Sequence, residues 1–214
     1  MNYLHYTGKN VNKGAKEVFA FLRAKLRKRE AESSTCGEKV KEVSVIDADA
    51  YESSSTVADT WWLKEFDLLQ SDKELITSSI WLSAPIITAA QMILSKQFED
   101  VFKGAGFQDV RSSLTMSFEI ERRRFIQVLH EPQGHWLTIT NVGTENPEIV
   151  RVYDSLYSSC SPSIQQQIAC MVNTAKPAIT LEFIDVHRQK GSNDCGVFAV
   201  AYAVSLCLNE EPFF

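Results

Sequence analysis

The chain has 214 residues, of which 44% are hydrophobic and 23% charged, a composition that predicts a soluble globular protein and excludes a disordered one. No apolar run approaches the roughly 18 residues of a membrane span, and the first ten residues lack the apolar core of a secretory signal, so we expect no membrane partner. The five cysteines are odd in number and form no Cys-x-x-Cys pair, which argues against a disulfide framework and a zinc site. We therefore expect an intracellular protein, in the nucleus or the cytoplasm, that needs neither a metal nor a cofactor.

The net charge of −5 is distributed unevenly along the chain. Residues 1–30 carry eight basic and two acidic side chains, whereas residues 31–60 carry two basic and seven acidic ones. Such blocks predict that the first sixty residues are separate from the packed domain, which is expected to span residues 61–214.

The first block, residues 1–30, is predicted to contain a basic amphipathic helix over Lys13–Glu30. Its run Arg23–Arg29 is either a contact for nucleic acid or nuclear import, or a solvated helix end; no other segment predicts nucleic-acid binding. Residues 31–60 are rich in serine and acidic residues and are predicted to form a linker, with a short strand at Val43–Ile46.

The packed domain is predicted to begin near Trp61. Ser83 is a typical N-cap residue and Pro85 suits the first turn of a helix, so we expect a helix over Ala84–Phe98. Apolar side chains recur in this range at helical spacing, at Ile87, Ala90, Leu94 and Phe98.

The rest of the chain is predicted to form three strands, a helix, a further strand and a last helix. The ranges are 124–130, 135–142 and 149–153 for the strands, 162–171 for the helix, 178–186 for the fourth strand and 195–208 for the last helix. This order predicts an α+β domain with a central, mostly antiparallel sheet flanked by helices.

Cys195 falls in the first turn of the last predicted helix, after the polar residues 192–194, which are expected to cap that helix. The helix dipole and the backbone N–H groups favour a thiolate at such a position. Gly196 is expected to leave room for a substrate backbone, and the amide of Gln189 could point to the same place. The alternative is a structural cysteine, since a cysteine that opens an apolar helix is usually buried.

An activated thiol needs a general base within hydrogen-bond reach, and the base needs an acceptor that orients it. His135 opens one predicted strand and Asp154 follows the end of the next, so the two side chains are expected at adjacent strand ends of one sheet. From position alone, a structural role explains His135 and Asp154 as well as a catalytic one.

Four blocks of the sequence resemble the Ulp/SENP cysteine proteases, which remove modifiers of the SUMO or NEDD8 type and are related to the adenovirus protease. Gly134–Trp136 resembles the His-Trp block of that family, and Val152–Leu156 resembles its Tyr-Asp-Ser-Leu block. Gln189–Phe198 resembles the Gln-x5-Cys-Gly block, and Trp81-Leu82 resembles the Trp-Leu opening. The blocks keep the order of the family and cover residues 61–214.

The resemblance implies a cysteine-protease fold whose nucleophile lies at the N-terminus of a buried helix. Cys195 would be the nucleophile, His135 the general base and then acid, and Asp154 the acceptor that fixes the imidazole tautomer. Gln189 and the backbone N–H of Cys195 would donate to the oxyanion.

The same resemblance implies that Trp81 and Trp136 close over the narrow Gly-Gly tail of the modifier, with ordinary core packing as the alternative for both. The chain departs from the family at Ser83–Pro85, where an acidic residue that meets a basic residue on the modifier is commonly found, so the identity of the modifier is open. The chain also ends nineteen residues after Cys195, where the family usually adds further structure, so we expect a fragment, a transposon-borne relative or a compact version of the domain.

The predicted activity is that of a cysteine peptidase or isopeptidase whose partner is a ubiquitin-like protein of the SUMO or NEDD8 type, or its conjugates. Two alternatives remain at this point. Acetyl transfer by relatives of this protease clan uses the same cysteine and histidine, and a catalytically silent module would only bind the tail of a ubiquitin-like protein. The silent module predicts the loss of a triad residue, and the sequence has lost none.

Overall fold

The computed structural model describes residues 60–78, 81–99, 118–119, 124–146, 148–173 and 178–212. The predicted helix at Lys13–Glu30, the linker and the strand at Val43–Ile46 lie outside these ranges and stay predictions. None of the helices in the described ranges is long and apolar enough to cross a bilayer.

The described ranges contain four α-helices: α1 (Gln70–Thr77), α2 (Ala84–Gln97), α3 (Pro162–Met171) and α4 (Cys195–Cys207). They also contain eight short strands, which are β1 (Trp61–Leu63), β2 (Leu68–Leu69), β3 (Phe118–Glu119), β4 (Ile126–Glu131), β5 (His135–Thr140), β6 (Ile149–Tyr153), β7 (Val172–Asn173) and β8 (Thr180–Phe183). The predicted α+β class is confirmed, and the predicted elements from α2 to α4 occur in the predicted order, with the short strands β3 and β7 in addition.

The N-cap residues of α2 and α3 make different contacts. Ser83 is the N-cap residue of α2, but its hydroxyl donates to Oδ1 of Asp72 at 3.0 Å and not to the helix. At the start of α3, the side chain of Ser161 accepts a hydrogen bond from the N–H of Ile164, directly before the predicted Pro162. Both helices therefore begin where the sequence predicts.

Two parts of the prediction need correction. The fourth predicted strand, 178–186, is shorter in the structure and covers only Thr180–Phe183. The hairpin β1–β2 and helix α1 were not predicted, because the dense apolar residues of this region follow neither a helical nor an alternating period long enough to identify an element.

The central sheet has the strand order β4-β5-β6-β8. The pairs β4–β5 and β5–β6 are antiparallel, whereas β8 lies parallel to β6, with Val152 opposite Phe183. A parallel neighbour needs a crossover connection, and the segment that contains α3 provides it. The predicted mostly antiparallel sheet is confirmed.

Helices cover both faces of the central sheet. Side chains such as Val128 pack in one cluster with α2 and α4, and alternate residues such as Leu129 pack in a second cluster with α3. Successive side chains of a strand point to opposite faces, which explains why every residue of β5 is buried.

Helix α4 is apolar on all sides, and 12 of its 13 residues are buried. The hydroxyl of Thr138 in β5, fully buried, donates to the carbonyl oxygen of Ala199 in α4 at 2.7 Å. This hydrogen bond joins the strand that begins at His135 to the helix that begins at Cys195.

We expect Thr138→Val to lower the free energy of unfolding by about 1 kcal/mol, the usual net contribution of one hydrogen bond. Thr180→Val, the same change at an exposed position of β8, serves as the control. Urea denaturation of the two variants measures the difference. Equal effects at both positions would contradict a stabilising bond between β5 and α4.

Candidate active site

The imidazole of His135 lies against the carboxylate of Asp154, and both side chains are buried. Nε2 of the imidazole is 2.9 Å from Oδ1 and 3.0 Å from Oδ2. Thr138 pairs with Tyr153 across β5 and β6, and this register places Asp154 diagonal to His135 on one face of the sheet. Because Nε2 donates to the carboxylate, Nδ1 is the nitrogen that can face the thiol.

Asp154 is itself held by the turn that follows β6. Its Oδ1 accepts hydrogen bonds from the N–H groups of Leu156 at 2.7 Å and Tyr157 at 2.9 Å. The ring of Tyr157 meets the ring of His135 edge to face, with centroids 5.0 Å apart. The guanidinium of Arg188 donates to the carbonyl oxygens of Asp154 and Tyr157 at 3.3 and 2.8 Å and closes the turn.

The protonation of His135 is governed by burial and by its two partners. Burial alone would lower the pKa of the imidazole, but the hydrogen bonds with Asp154 and Cys195 and the negative charge on both outweigh it and raise the pKa from 6.5 to about 9. At neutral pH the site therefore favours an imidazolium beside the cysteine sulfur.

Cys195 is the first residue of α4 and is 1% exposed, and its side chain interacts with that of His135. The N-cap residue, Asp194, makes no side-chain hydrogen bond to the helix, so the predicted polar cap is wrong in that respect. The first N–H groups of a helix have no intrahelical acceptor, and the dipole is positive there, which favours negative charge on this sulfur.

Gly196 has a different role from the predicted one. A Cβ at this position would lie 3.2 Å from both Leu82 Cβ and Trp136 Cδ1, and 3.3 Å from Ile87 Cδ1. The missing side chain therefore lets the start of α4 pack against the domain's own core, and it does not open a path for a substrate backbone.

The amide of Gln189 is buried and held at both ends. Its Oε1 accepts a hydrogen bond from the hydroxyl of Ser155 at 2.6 Å, and its Nε2 donates to the carbonyl oxygen of Gly191 at 2.8 Å. The carbonyl of Gly191 can only accept, so it keeps Nε2 on that side. An amide nitrogen has two hydrogens, which leaves one for another acceptor.

The two tryptophans of the resemblance have different environments. Trp81 is 43% exposed, and its indole Nε1 donates to Oδ1 of Asn193 at 2.6 Å. Trp136 is 4% exposed and packs against the ring of His130, with centroids 4.4 Å apart. Trp81 thus lies at the surface of the site and Trp136 inside it, so the predicted contact of Trp136 with a substrate stays a prediction.

Two other described thiols, those of Cys160 and Cys207, lie in environments that disfavour the thiolate. Burial raises the pKa of Cys207 to about 12. Burial, together with the charges of Asp154 and Glu131, also raises the pKa of Cys160 to about 12. Cys160 and Cys170 are half-buried.

Sequence reasoning gave no role to Ser155 and Tyr157 and only a capping role to Asn193, and the structure places all three at the site. Ser155 could have been found, because it belongs to the Tyr-Asp-Ser-Leu block. No sequence motif indicates the contacts of Tyr157 and Asn193, which depend on the fold alone.

In the described ranges, no group of three or more His, Cys, Asp or Glu side chains is arranged to hold a metal ion.

No protein-family model matches the sequence, and no curated protein does either. The fold is similar to that of solved structures. The C-terminal Ulp1 protease domain in complex with Smt3, the yeast ortholog of SUMO, is 13% identical over 69% of this chain and 75% of that chain, with a TM-score of 0.51. The SUMO protease Ulp1 with its catalytic cysteine oxidised to a sulfonic acid is 13% identical over 71% and 78%, with a TM-score of 0.56. The chain therefore has the α+β cysteine-protease fold of Ulp1.

We expect the imidazole of His135 to titrate near pH 9 in histidine side-chain NMR spectra. Asp154→Asn should lower this pKa, because the burial remains while the charge is lost. The N–H groups of Leu156 and Tyr157 should hold the amide oxygen of the new Asn, so its NH₂ group faces His135 and imposes the wrong tautomer.

The side-chain signals of the exposed His187 in the same spectra serve as the internal control. The sign of the effect on stability follows from the raised pKa. Protonated His135 stabilises the fold fully below about pH 6.5, and this contribution is lost as the pH rises through about 9. A midpoint for His135 that stays near pH 9 in Asp154→Asn would contradict the assignment of Asp154 as the main partner.

Proposed function

We propose that this protein is a cysteine peptidase or isopeptidase that cleaves after the C-terminal Gly-Gly of a ubiquitin-like modifier of the SUMO or NEDD8 type. The observation that carries the proposal is the buried imidazole of His135, held between the carboxylate of Asp154 and the thiol of Cys195. The fold shared with the SUMO protease Ulp1 supports it.

In the proposed reaction, the thiolate of Cys195 attacks the carbonyl carbon of the last glycine, and a carbon–sulfur bond forms. The imidazolium of His135 then gives its proton to the leaving amine as the carbon–nitrogen bond breaks, which leaves a thioester. The neutral imidazole next takes a proton from water, which attacks the thioester and releases the free carboxylate and the thiol. The raised pKa of His135 supports its first role as an acid.

The negative charge that develops on the carbonyl oxygen needs donors that are in place before the reaction. Gln189 suits this role, because its amide is already fixed by Ser155 and Gly191 and keeps one N–H. The backbone N–H of Cys195, at the first position of α4, would be the second donor.

Only Cys195 should react with a SUMO-type modifier that carries a C-terminal electrophile after Gly-Gly. The high pKa of the thiols of Cys160 and Cys207 removes the thiolate that the reaction needs. Mass spectrometry of the adduct identifies the labelled cysteine, and ubiquitin and NEDD8 probes are tested in parallel.

Cys195→Ser should abolish labelling, and Cys207→Ser, which removes another buried thiol, should retain it. No adduct with any modifier, in a protein whose Cys195 still reacts with iodoacetamide, would contradict the proposed substrate class. Adducts at other cysteines would contradict the nucleophile.

Gln189→Ala should lower kcat by roughly 10²–10³-fold, about 2.7–4 kcal/mol, and leave KM nearly unchanged. The reason is that an oxyanion donor acts mainly in the transition state. Gln165→Ala in α3, an exposed glutamine, is the matched control and should not change the rate.

The rate of alkylation of Cys195 by iodoacetamide, a reaction without an oxyanion, separates this role from a structural one. It should be the same in Gln189→Ala as in the unmodified protein. A parallel loss of alkylation and hydrolysis would mean that Gln189 only braces the loop before Cys195.

A further inference from the structure

Trp81 is fixed at both ends although 43% of its surface is exposed. At one end, its Nε1 donates to Oδ1 of Asn193, and the distance of 2.6 Å is short for a hydrogen bond of this kind. At the other end, its six-membered ring lies on Gly134, where a Cβ would be only 2.6 Å from Cζ3. An exposed indole usually has more freedom than this.

The backbone beneath the indole is also anchored. Leu82 is 3% exposed and packs at the start of α4, where it would be 3.2 Å from a Cβ on Gly196. Ser83 is bonded to Asp72 at 3.0 Å. With the main chain fixed, the side-chain torsions of Trp81 are the remaining freedom, and the bond to Asn193 restricts them.

The indole contacts both of the segments that form the site. Gly134 directly precedes His135, and Asn193 comes two residues before Cys195. The ring therefore bridges the segment that carries the proposed base and the segment that carries the proposed nucleophile. Gly134 has a φ of +90°, and a side chain there would both strain the backbone and displace the ring.

Asn193 presents its oxygen, not its nitrogen, to the indole. The hydroxyl of Ser192 donates to the same Oδ1 at 3.0 Å, so this atom accepts two hydrogen bonds. A flipped amide would place its NH₂ group against the indole N–H, and neither could accept. The orientation of Asn193 is thus determined by its surroundings.

We propose that Asn193 is a positioning residue that latches Trp81 across the site as a roof, and that this latch restricts access to Cys195 to narrow chains without side chains. The restriction to Gly-Gly tails rests on the proposed function, whereas the latch itself does not. Without the hydrogen bond, the indole can rotate away from Gly134, and wider groups can reach the sulfur.

The latch is tested first with reagents that need no substrate. The rates at which iodoacetamide and the wider N-phenylmaleimide modify Cys195 are measured by mass spectrometry, and their ratio reports the width of the access path. Asn193→Ala, and Trp81→Phe, which replaces the indole by a smaller phenyl ring without an N–H, should each favour the wide reagent by roughly tenfold. That factor corresponds to about 1.4 kcal/mol, within the range of one hydrogen bond.

Two comparisons isolate the hydrogen bond from other effects of these changes. The double variant should show no larger effect than either single one, because both remove the same interaction. Asn193→Asp keeps an acceptor oxygen and should restore the original ratio, and Trp61→Phe, an exposed tryptophan of β1, should not change it. An unchanged ratio in Trp81→Phe, or effects that multiply in the double variant, would overturn the latch.

The second measurement is the ratio of kcat/KM for modifiers that end in Gly-Gly and in Gly-Ala. Asn193→Ala should reduce this preference mainly by raising kcat/KM for the Gly-Ala substrate. If no modifier is cleaved by the unmodified protein but the reagent ratio changes as expected, the latch holds and the proposed function fails. If modifiers are cleaved and neither ratio changes, the latch fails alone.

Discussion

The burial of helix α4 is the constraint on which the rest of the site depends. A helix with no polar face cannot lie on a protein surface without exposing apolar area, so it must pack on all sides. The close approach of Leu82 and Trp136 at Gly196, and the bond between Thr138 and Ala199, place its start next to β5. The sulfur of the first helical residue is thereby carried into the interior, where a thiolate is costly unless a cation is near.

The imidazole of His135 offsets the cost of a buried thiolate, because it is buried beside the sulfur of Cys195. An imidazolium alone in the interior would be as unfavourable as a thiolate alone, since burial opposes both charges. With Asp154 on one side and the sulfur on the other, the charged imidazole becomes the favoured form, and its pKa rises in spite of burial. The imidazolium that would support the proposed role of the sulfur as a nucleophile is thus also the group that makes a buried thiolate tolerable.

The parts of the fold that follow from local sequence could be predicted. Ser83 and Pro85 mark the start of α2. Antiparallel neighbours bring the start of one strand to the end of the next, which places His135 beside Asp154. The contact of Trp81 with Asn193, 112 residues away in sequence, depends on how the loops pack. No local pattern of the sequence indicates such a contact. The role of Gly196 was mistaken for the same reason.

The site is held together by loops as much as by regular elements. The N–H of Gln189 donates to the carbonyl of Ser155 at 3.0 Å, and Arg188 donates to the turn after Asp154. These hydrogen bonds join the segment before Cys195 to the segment after β6. Asp154 and Gln189 are therefore positioned by one shared set of bonds. Elsewhere in the site, the indole of Trp81 and its hydrogen bond to Asn193 join the segment before His135 to the segment before Cys195. The segments that carry His135 and Cys195 are therefore fixed by loop contacts as well as by the sheet and helix α4.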